Sequence, residues 1–404
     1  MSTSEDSDAV VITGLGVVSP LAASFGELAR RFAAGERVVD SAALDRRGAF
    51  VERIPLDALP EQRRAHAARL DRFCQLLLAA SHSAMQSAGL ASDTYGPART
   101  GLVFGTGLGC LLTNEEYFRR VVEGGVRAAS PRLFAYTVSS TAAGEVSIAL
   151  GIKGPNVTRH EGLAAGLGAL GYGLDLLQTR KADAVLAGGG DAGGPALVAA
   201  LADMGLLKDL DHARPYRDET PGLYPSEGAV VAVLERAADA RRRGARSLAT
   251  IRGYASGFEP TLTRAAPSTE GLSATVRRAL VSSGQDPADV GLVFGSAHGT
   301  RIDATELHAL AETLDEKSTA VLIASKASLG ESFGASALLD VALAVGLWQT
   351  PSRLAAGLGH DLAGAALPAA EAQRRLERAR VALVHALCYS GNVVALTLER
   401  ETER

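Results

Sequence analysis

The sequence Gly101-Leu102-Val103-Phe104-Gly105 occurs a second time as Gly291-Leu292-Val293-Phe294-Gly295, 190 residues further along a chain of 404 residues. Both copies follow a polar turn, and both continue into a loop with a further glycine. Apolar residues between glycines are typical of a buried strand that ends in a tight turn. Because the separation is close to half of the chain, the repeat predicts a duplicated fold.

Apolar runs and helical segments alternate through the rest of the chain. Runs rich in valine, alanine and leucine predict strands at residues 9–13, 101–104, 184–187, 229–234, 290–294, 320–323, 381–385 and 393–398. Longer segments with helical patterns predict helices at residues 63–88, 163–178, 268–283, 304–313 and 335–348. This alternation is typical of an α/β fold with a mostly parallel sheet that is covered by helices.

The composition excludes several classes of protein. Hydrophobic residues make up 47% of the chain and charged residues 21%, which allows a large core and excludes a disordered chain. A net charge of −4 provides no basic field, so we expect neither nucleic acid nor an anionic membrane as a partner. Since no run of about 18 uncharged apolar residues and no signal sequence occurs, we expect a cytoplasmic protein.

The three cysteines, Cys74, Cys110 and Cys388, are far apart in the sequence. Their spacing matches neither a disulfide framework nor a zinc motif, and it fits a reducing compartment. We therefore expect neither a metal nor a cofactor.

A series of motifs, most of them rich in glycine, follows one order along the chain. The motifs are Val10-Val-Ile-Thr-Gly-Leu-Gly-Val-Val-Ser-Pro20, Ala187-Gly-Gly-Gly-Asp191, Arg214-Pro-Tyr-Arg-Asp218, Pro225-Ser-Glu-Gly-Ala229 with Leu234-Glu235, Ala297-His-Gly-Thr300, Ser325-Lys326 and Cys388-Tyr-Ser-Gly391. In this order they resemble the β-ketoacyl synthases of the thiolase superfamily over about residues 8–400. The resemblance implies a five-layered αβαβα fold from two duplicated βαβαβαββ halves, residues 1–250 and 251–404, in an obligate dimer.

Members of this family use a nucleophilic cysteine at the turn into a buried helix, together with two histidines and a lysine. The resemblance places Leu163 at the position of the nucleophile, His298 at that of the first histidine and Lys326 at that of the lysine. Glu331 stands where the second histidine is expected. Leucine cannot form a thioester, and an ionised glutamate would repel the negative charge that develops during decarboxylation. The resemblance therefore implies that no catalytic residue remains, and His298 is interpreted as a structural hydrogen-bonding residue.

A charged run, Arg159-His160-Glu161, stands where the family has small or apolar residues just before this turn. If the run lies on a buried strand, we expect its side chains to pair with each other, or with Lys326 and Glu331, because unpaired buried charges are costly. The alternative is a re-tooled site for acyl transfer, which would be made from His160, Glu161, His298 and Glu331.

Cys388 and Tyr389 take the places of the first glycine and the phenylalanine in the gating loop of the family. Cys388 is therefore either a replacement nucleophile or a small buried side chain that fills space, and the second reading is the more common one for such a cysteine.

A fold of this kind without its nucleophile resembles the chain-length-factor (ketosynthase β) subunits of bacterial type II polyketide synthases. The resemblance implies a heterodimer with an active ketosynthase (ketosynthase α), an acyl carrier protein as a further partner, and no activity of the chain alone. Because the glutamine that many such subunits carry at the nucleophile position is absent, the chain looks like a divergent branch serving a polyene or other reduced product. A re-tooled enzyme and a homodimeric pseudoenzyme remain the alternatives.

Two surface regions follow from the resemblance. Leu108, Leu112, Leu133 and Phe134 correspond to segments at the dimer interface beside the acyl pocket, so they are either interface core or the end of the elongation tunnel. Arg63, Arg64, Arg69 and Arg72 lie where family members can bind the acidic helix of the carrier protein. We expect these arginines to form an ordinary solvated helix face, with the carrier docking chiefly on the partner subunit.

Overall fold

The structure is a computed structural model that describes residues 8–38, 48–209, 211–212, 214–216, 222–260, 268–315, 318–350 and 353–401. The amino-terminal segment before Asp8, and Arg217 and Asp218 of one sequence motif, lie outside the described residues. The strands are β1 (Val10–Val18), β2 (Thr100–Gly105), β3 (Asn156–Arg159), β4 (Ala184–Asp191), β5 (Gly228–Arg236), β6 (Ala249–Phe258), β7 (Val290–Phe294), β8 (Val321–Ile323), β9 (Gly359–His360), β10 (Val381–Leu387) and β11 (Asn392–Arg400).

The α-helices of the described residues follow the same alternation. They are α1 (Phe25–Ala33), α2 (Glu61–Ala67), α3 (Arg72–Ala88), α4 (Leu111–Gly124), α5 (Pro131–Phe134), α6 (Thr141–Leu150), α7 (Ala165–Gln178), α8 (Pro195–Asp203), α9 (Ala237–Arg242), α10 (Glu270–Ser283), α11 (Ile302–Leu314), α12 (Lys326–Leu329), α13 (Ser336–Gln349) and α14 (Ala369–Arg378). None of these helices is both long enough and apolar enough to cross a lipid bilayer.

The strands form a sheet in the order β3-β2-β4-β5-β1-β6-β11-β10-β7-β8-β9. From β1 outward to β3, two antiparallel pairings are followed by two parallel ones. From β6 outward to β8, the same sequence of pairings recurs. The two GLVFG copies lie in β2 and β7, which occupy equivalent positions in the two halves, so the predicted duplication is confirmed.

Helices α7 and α13 lie between the two halves of the sheet. Each contacts strands of both halves, and the two helices contact each other. On the outer faces, α3 packs on β1, β4 and β5, while α10 packs on β6 and β11. The resulting order of helix, sheet, helix, sheet and helix is the expected thiolase-like five-layered fold.

Two expectations about the elements are wrong. The sheet is mixed and not mostly parallel, since six of the ten strand pairings in the described residues are antiparallel. The helix expected at residues 63–88 is divided into α2 and α3, because the side chain of Asp71 accepts a hydrogen bond from the amide of Phe73 and starts a new helix there.

Candidate functional site

The candidate site lies where α7 and α13 begin, and Asp191 joins the two halves there. The fully buried carboxylate of Asp191 accepts hydrogen bonds from the amides of Gly107 (2.8 Å) and Leu108 (2.9 Å) in the first half. It also accepts one from the amide of Gly334 (2.8 Å), just before α13. Burial raises the pKa of Asp191, although these hydrogen bonds oppose the rise. The carboxylate therefore fixes the first glycine loop against the start of α13.

Leu163 occupies the position expected for a nucleophile. It lies in a single 3-10 turn, Gly162–Ala164, that continues directly into α7. Gly162 has φ +59°, a conformation that favours glycine. The Leu163 side chain is 6% exposed and belongs to the main apolar core. The turn into a buried helix that the resemblance implies is thus present, and its side chain is a saturated hydrocarbon.

Glu331 forms a buried ion pair with Lys326. The Lys326 Nζ atom lies 2.6 Å from Glu331 Oε2, while Oε1 accepts hydrogen bonds from the Ser336 hydroxyl (2.6 Å) and the Phe333 amide (2.9 Å). Burial by itself raises the pKa of the glutamate, but the Lys326 ammonium group and these donors lower it overall. The carboxylate is therefore ionised at neutral pH, and both of its oxygens already accept a hydrogen bond.

His298 lies in the same buried region, beside this ion pair. Its Nε2 atom is 2.6 Å from the carbonyl oxygen of Leu387, which requires Nε2 to carry the proton and donate it. Its Nδ1 atom has no hydrogen-bond partner among the described residues, and its ring lies 4.7 Å from that of Tyr389. Burial, followed by the charge of Lys326, lowers the pKa of His298 to about 4. The imidazole is therefore neutral and holds the loop that precedes α11 against the end of β10.

A second buried pair supports the loop that carries His298, and the sequence reasoning missed it. Glu306 and His385 are fully buried and hydrogen-bond each other. Glu306 also accepts hydrogen bonds from the amides of Ser296 (2.5 Å) and Ala297 (3.1 Å). Burial raises the pKa of Glu306, but His385 opposes this and the net value falls to about 2.

A second carboxylate binds the same loop. Asp303 accepts a hydrogen bond from the amide of Gly299 at 3.0 Å, and burial raises its pKa to about 6. The signal in the sequence was the spacing of Asp303 and Glu306, which puts two carboxylates on one face of α11 directly after Ala297-His-Gly-Thr300.

Cys388 fills the space in front of the turn at Gly162. A Cβ atom built on Gly162 would lie only 2.5 Å from Cys388 Sγ, so the thiol is packed directly against that backbone. The Ser390 hydroxyl donates to the sulfur at 3.1 Å. The hydroxyl of Tyr389 has no partner among the described residues, and burial raises its pKa. Cys388 thus packs against the turn into α7, while Tyr389 packs against His298.

The charged run before the turn is not buried as expected. Arg159 and Glu161 pair with each other, as anticipated, but both are only half-buried, and His160 is exposed. The reason is that β3 is the outermost strand of the sheet, so its outer edge faces solvent in the single chain. No hydrogen bond or ion pair among the described residues joins His160 or Glu161 to His298 or Glu331. The four side chains of the alternative acid/base site therefore do not form a hydrogen-bonded unit.

Comparison with known sequences identifies the family. The model of the β-ketoacyl synthase N-terminal domain matches residues 7–240, and that of the C-terminal domain matches residues 248–350. The chain belongs to the β-ketoacyl synthase family. The "Tetracenomycin polyketide synthase ketoacyl synthase alpha subunit" of Streptomyces glaucescens is 31% identical over 355 residues, which cover 82% of this chain and 83% of the relative. The "3-oxoacyl-(acyl-carrier-protein) synthase 2" of Staphylococcus aureus is 32% identical over 282 residues, 67% of this chain and 69% of the relative.

Solved structures of β-ketoacyl synthases share the fold. The structure described as "The ishigamide ketosynthase/chain length factor" has a TM-score of 0.83 at 24% identity and covers 98% of this chain and 100% of that chain. A type II polyketide synthase structure, in which an acyl carrier protein is in complex with its ketosynthase, has a TM-score of 0.80 at 20% identity and the same coverage.

Exposed apolar side chains are concentrated in one part of this β-ketoacyl-synthase chain. This part includes Phe134, which the resemblance matched to the dimer interface. Six of the nine exposed large apolar side chains of the described residues fall within 31 consecutive residues. We call them the apolar face: Phe118, Val122, Val126, Phe134, Val138 and Ile148. Of the four predicted tunnel or interface residues, Leu108, Leu112 and Leu133 are half-buried, while Phe134 is 60% exposed.

The basic segment differs from the expected solvated face at one position. The Arg72 Nε atom lies 2.9 Å from an oxygen of Glu227, whose side chain is fully buried, and the guanidinium group also donates to the carbonyl of Val51. Arg72 is therefore a structural residue, because its removal would leave a buried carboxylate without its cation. Arg63 and Arg69 are exposed on and after α2, as expected for a surface face.

Proposed function

We propose that this chain is a non-catalytic, chain-length-factor-type subunit of a bacterial type II polyketide synthase, which pairs with an active ketosynthase and shapes the tunnel for the growing chain. The observation that carries the proposal is which side chains stand at the positions of the nucleophile and of the second histidine. A buried leucine occupies the turn at the start of α7, and Glu331 is locked in an ion pair with Lys326.

This arrangement opposes both steps of ketosynthase chemistry. Acyl transfer needs a nucleophile, and the Leu163 side chain offers none. Decarboxylation of a malonyl thioester creates an enolate, which requires hydrogen-bond donors or positive charge at its oxygen. The carboxylate of Glu331 can only accept hydrogen bonds, and it forms an ion pair with the ammonium group of Lys326. That positive charge is therefore compensated by Glu331 and does not act on an enolate oxygen. His298, which stands at the position of the family's first histidine, donates a hydrogen bond to the Leu387 carbonyl.

The surface of the chain supports a stable protein partner. Strand β3 is an open edge of the sheet, and unpaired edges are templates for strands of another chain. Helix α6 contacts β3, and the apolar face extends from α4 to α6. Clustered exposed apolar side chains mark interaction surfaces in soluble proteins. An edge strand beside an apolar surface suits a large interface of the obligate kind.

The identity of the partners rests on the relatives. Among the structural neighbours are a ketosynthase paired with a chain length factor and a ketosynthase in complex with an acyl carrier protein. We infer a ketosynthase α subunit as the partner of this chain, and an acyl carrier protein that docks chiefly on that subunit.

Co-expression tests this proposal. The tagged chain is produced with candidate ketosynthase α subunits, and the complex is isolated by affinity and size-exclusion chromatography. We expect a heterodimer that elongates malonyl units, whereas the chain alone neither turns over nor becomes acylated in intact-mass spectra. Acylation or turnover by the purified chain alone would favour the re-tooled enzyme. A stable homodimer that excludes every ketosynthase tested would favour the homodimeric pseudoenzyme.

A further inference from the structure

Two of the three cysteines meet in the folded chain although 36 positions separate them in the sequence. Cys74 lies in the first turn of α3, and Cys110 immediately precedes α4. Both side chains are fully buried, and the carboxylate of Asp71 lies beside them. One ligand atom from each of these three residues lies within 4.8 Å of the other two.

The carboxylate of Asp71 is held rigidly next to the two sulfur atoms. Its Oδ1 atom accepts a hydrogen bond from the Phe73 amide at 2.8 Å, which starts α3. Its Oδ2 atom accepts from the amide (3.2 Å) and the hydroxyl (2.6 Å) of Thr113 in the first turn of α4. Because each carboxylate oxygen has two acceptor sites, Oδ1 retains one for a further ligand.

The surroundings of the thiols favour a cation. Burial removes the two sulfur atoms from water, so a cation held between them and the carboxylate would be shielded from solvent. A bound dication would replace the two thiol protons, and its charge would compensate the two thiolates and the carboxylate.

We propose that Asp71, Cys74 and Cys110 bind a thiophilic divalent cation of the Zn²⁺ type. Binding forms two metal–sulfur bonds and one metal–oxygen bond, releases two thiol protons to solvent, and transfers no electron. Thiolate and carboxylate groups belong to the ligand set of Zn²⁺, and sulfur atoms at about 2.3 Å from one tetrahedral metal lie about 3.8 Å apart. The two sulfur atoms lie within 4.8 Å of each other, so they would have to approach by at most about 1 Å.

The cation would fasten the start of α4 to the first turn of α3. Helix α4 carries Phe118 and Val122 of the apolar face, so the metal would stabilise the base of that surface. Metal binding is a property of the single chain, and the inference therefore stands or falls independently of the proposed function.

Cobalt(II) provides the test, because thiolate–cobalt bonds give an intense charge-transfer absorption. The reduced, metal-free full-length chain is titrated with Co²⁺ under anaerobic conditions. We expect one Co²⁺ per chain, a thiolate–cobalt band, and loss of that band when Zn²⁺ is added. Cys74→Ser and Cys110→Ser should each weaken binding at least about tenfold. Cys388→Ser is the matched control, and it should bind as the unaltered chain does.

Several results would overturn the inference. One is that the unaltered chain shows no thiolate–cobalt band. Another is that Cys388→Ser loses the band while Cys74→Ser and Cys110→Ser retain it. A Cys74–Cys110 disulfide, seen as a mass two hydrogens lower in a freshly purified chain that takes up no metal, would also do so. If either serine variant does not fold, native mass spectrometry of the unaltered chain with Zn²⁺ decides the question through the predicted single metal and the loss of two protons.

Discussion

At the residue scale, the proposed function attributes the loss of two different contributions to catalysis to Leu163 and Glu331. In this proposal, Leu163 replaces the nucleophile, and Glu331 places an ionised carboxylate where a hydrogen-bond donor is needed. Because the two losses are independent, restoring one of them leaves the other in force. The independence of the two losses can be tested by a single substitution in the turn before α7, with a control substitution inside α7.

The first prediction is that Leu163→Cys restores neither condensation nor malonyl decarboxylation. The new thiol would lie at the start of α7, but Glu331 would still oppose the developing enolate charge. Radiolabelled malonyl transfer and carbon dioxide release, measured on the variant chain without the ketosynthase, check this. Leu167→Cys, one turn further into α7, controls for non-specific acylation. Chain elongation that the Leu163→Cys thiol supports and the control does not would contradict the prediction.

The second prediction concerns the buried ion pair of Lys326 and Glu331. Glu331→Gln leaves the Lys326 ammonium group buried without its counterion, and we expect a loss of about 3–5 kcal/mol in the free energy of unfolding. Asp57→Asn, which breaks the exposed pair with Arg53, should cost no more than about 1 kcal/mol. Urea unfolding at neutral pH measures both. Equal costs would mean that the buried pair contributes no more than a surface pair.

The third prediction follows from the lowered pKa of His298. The unfolded chain binds a proton at His298 below about pH 6.5, whereas the folded chain does so only near pH 4, so this residue reduces stability as the pH falls through that range. The reduction amounts to about 3 kcal/mol. His298→Gln keeps a donor for the Leu387 carbonyl. When the pH falls from 6.5 to 4, the free energy of unfolding of this variant should decrease by about 3 kcal/mol less than that of the unaltered chain.

The control for this prediction is His308→Gln, because His308 is exposed. The burial of Asp303 and Asp340, which raises their pKa values to about 6 and about 7, gives a pH dependence of opposite sign in the same range. The test therefore compares the variants with the unaltered chain, by urea unfolding at each pH. Parallel stability curves for His298→Gln and the unaltered chain would refute the assignment.

At the scale of elements, β3 is the outermost strand of the sheet, and the proposed interface uses its open edge. The carbonyl groups of Pro155 and Arg159 accept hydrogen bonds from β2 and its following residue, so the alternation of the strand turns the amide of Thr158 to the open edge. A proline at Thr158 therefore spares the β2 pairing but removes a donor from the edge.

The fourth prediction is that Thr158→Pro leaves the chain folded and weakens its association with the ketosynthase at least about tenfold. Thr158→Ala, which keeps the amide, should associate normally. Val157→Pro, whose lost amide faces β2, should instead destabilise the chain itself. Circular dichroism and co-purification distinguish these outcomes. Normal association of folded Thr158→Pro would show that the partner does not use this edge.

Much of the element structure could be predicted, and the failures have physical causes. The repeated GLVFG run indicated the duplication because β2 and β7 are buried strands at equivalent positions, where the same apolar residues fit the same surroundings. The direction of the pairing was not predictable, because a fully buried strand reads the same in parallel and antiparallel sheets. Arg72 looked like a surface arginine because its partner, Glu227, is 155 residues away in the sequence. The meeting of Cys74 and Cys110 was hidden for the same reason.

At the scale of the whole molecule, the proposed function requires that the chain control the product of a complex without catalysing a step itself. An inactive subunit acts only through shape, by the side chains that it places at the shared interface. Leu112 packs close to Gly194 inside this chain, whereas the Phe134 ring projects into solvent and contacts Tyr117 at a ring distance of 5.9 Å. The two residues therefore differ in what their truncation removes.

The fifth prediction is that Leu112 or Phe134 ends the elongation tunnel. Leu112→Ala should cost up to about 2–5 kcal/mol of stability if the residue is only interface core, with no change in product. Phe134→Ala should hardly affect the single chain, because surface truncations cost within about 0.5 kcal/mol. If either side chain is the tunnel floor, its truncation opens space for about one or two further ketide units, and the chains lengthen. Mass spectrometry of the products of the reconstituted pair measures this, with Leu112→Trp expected to shorten them. Unchanged chain length in all three variants would exclude both residues as the floor and leave them as interface core.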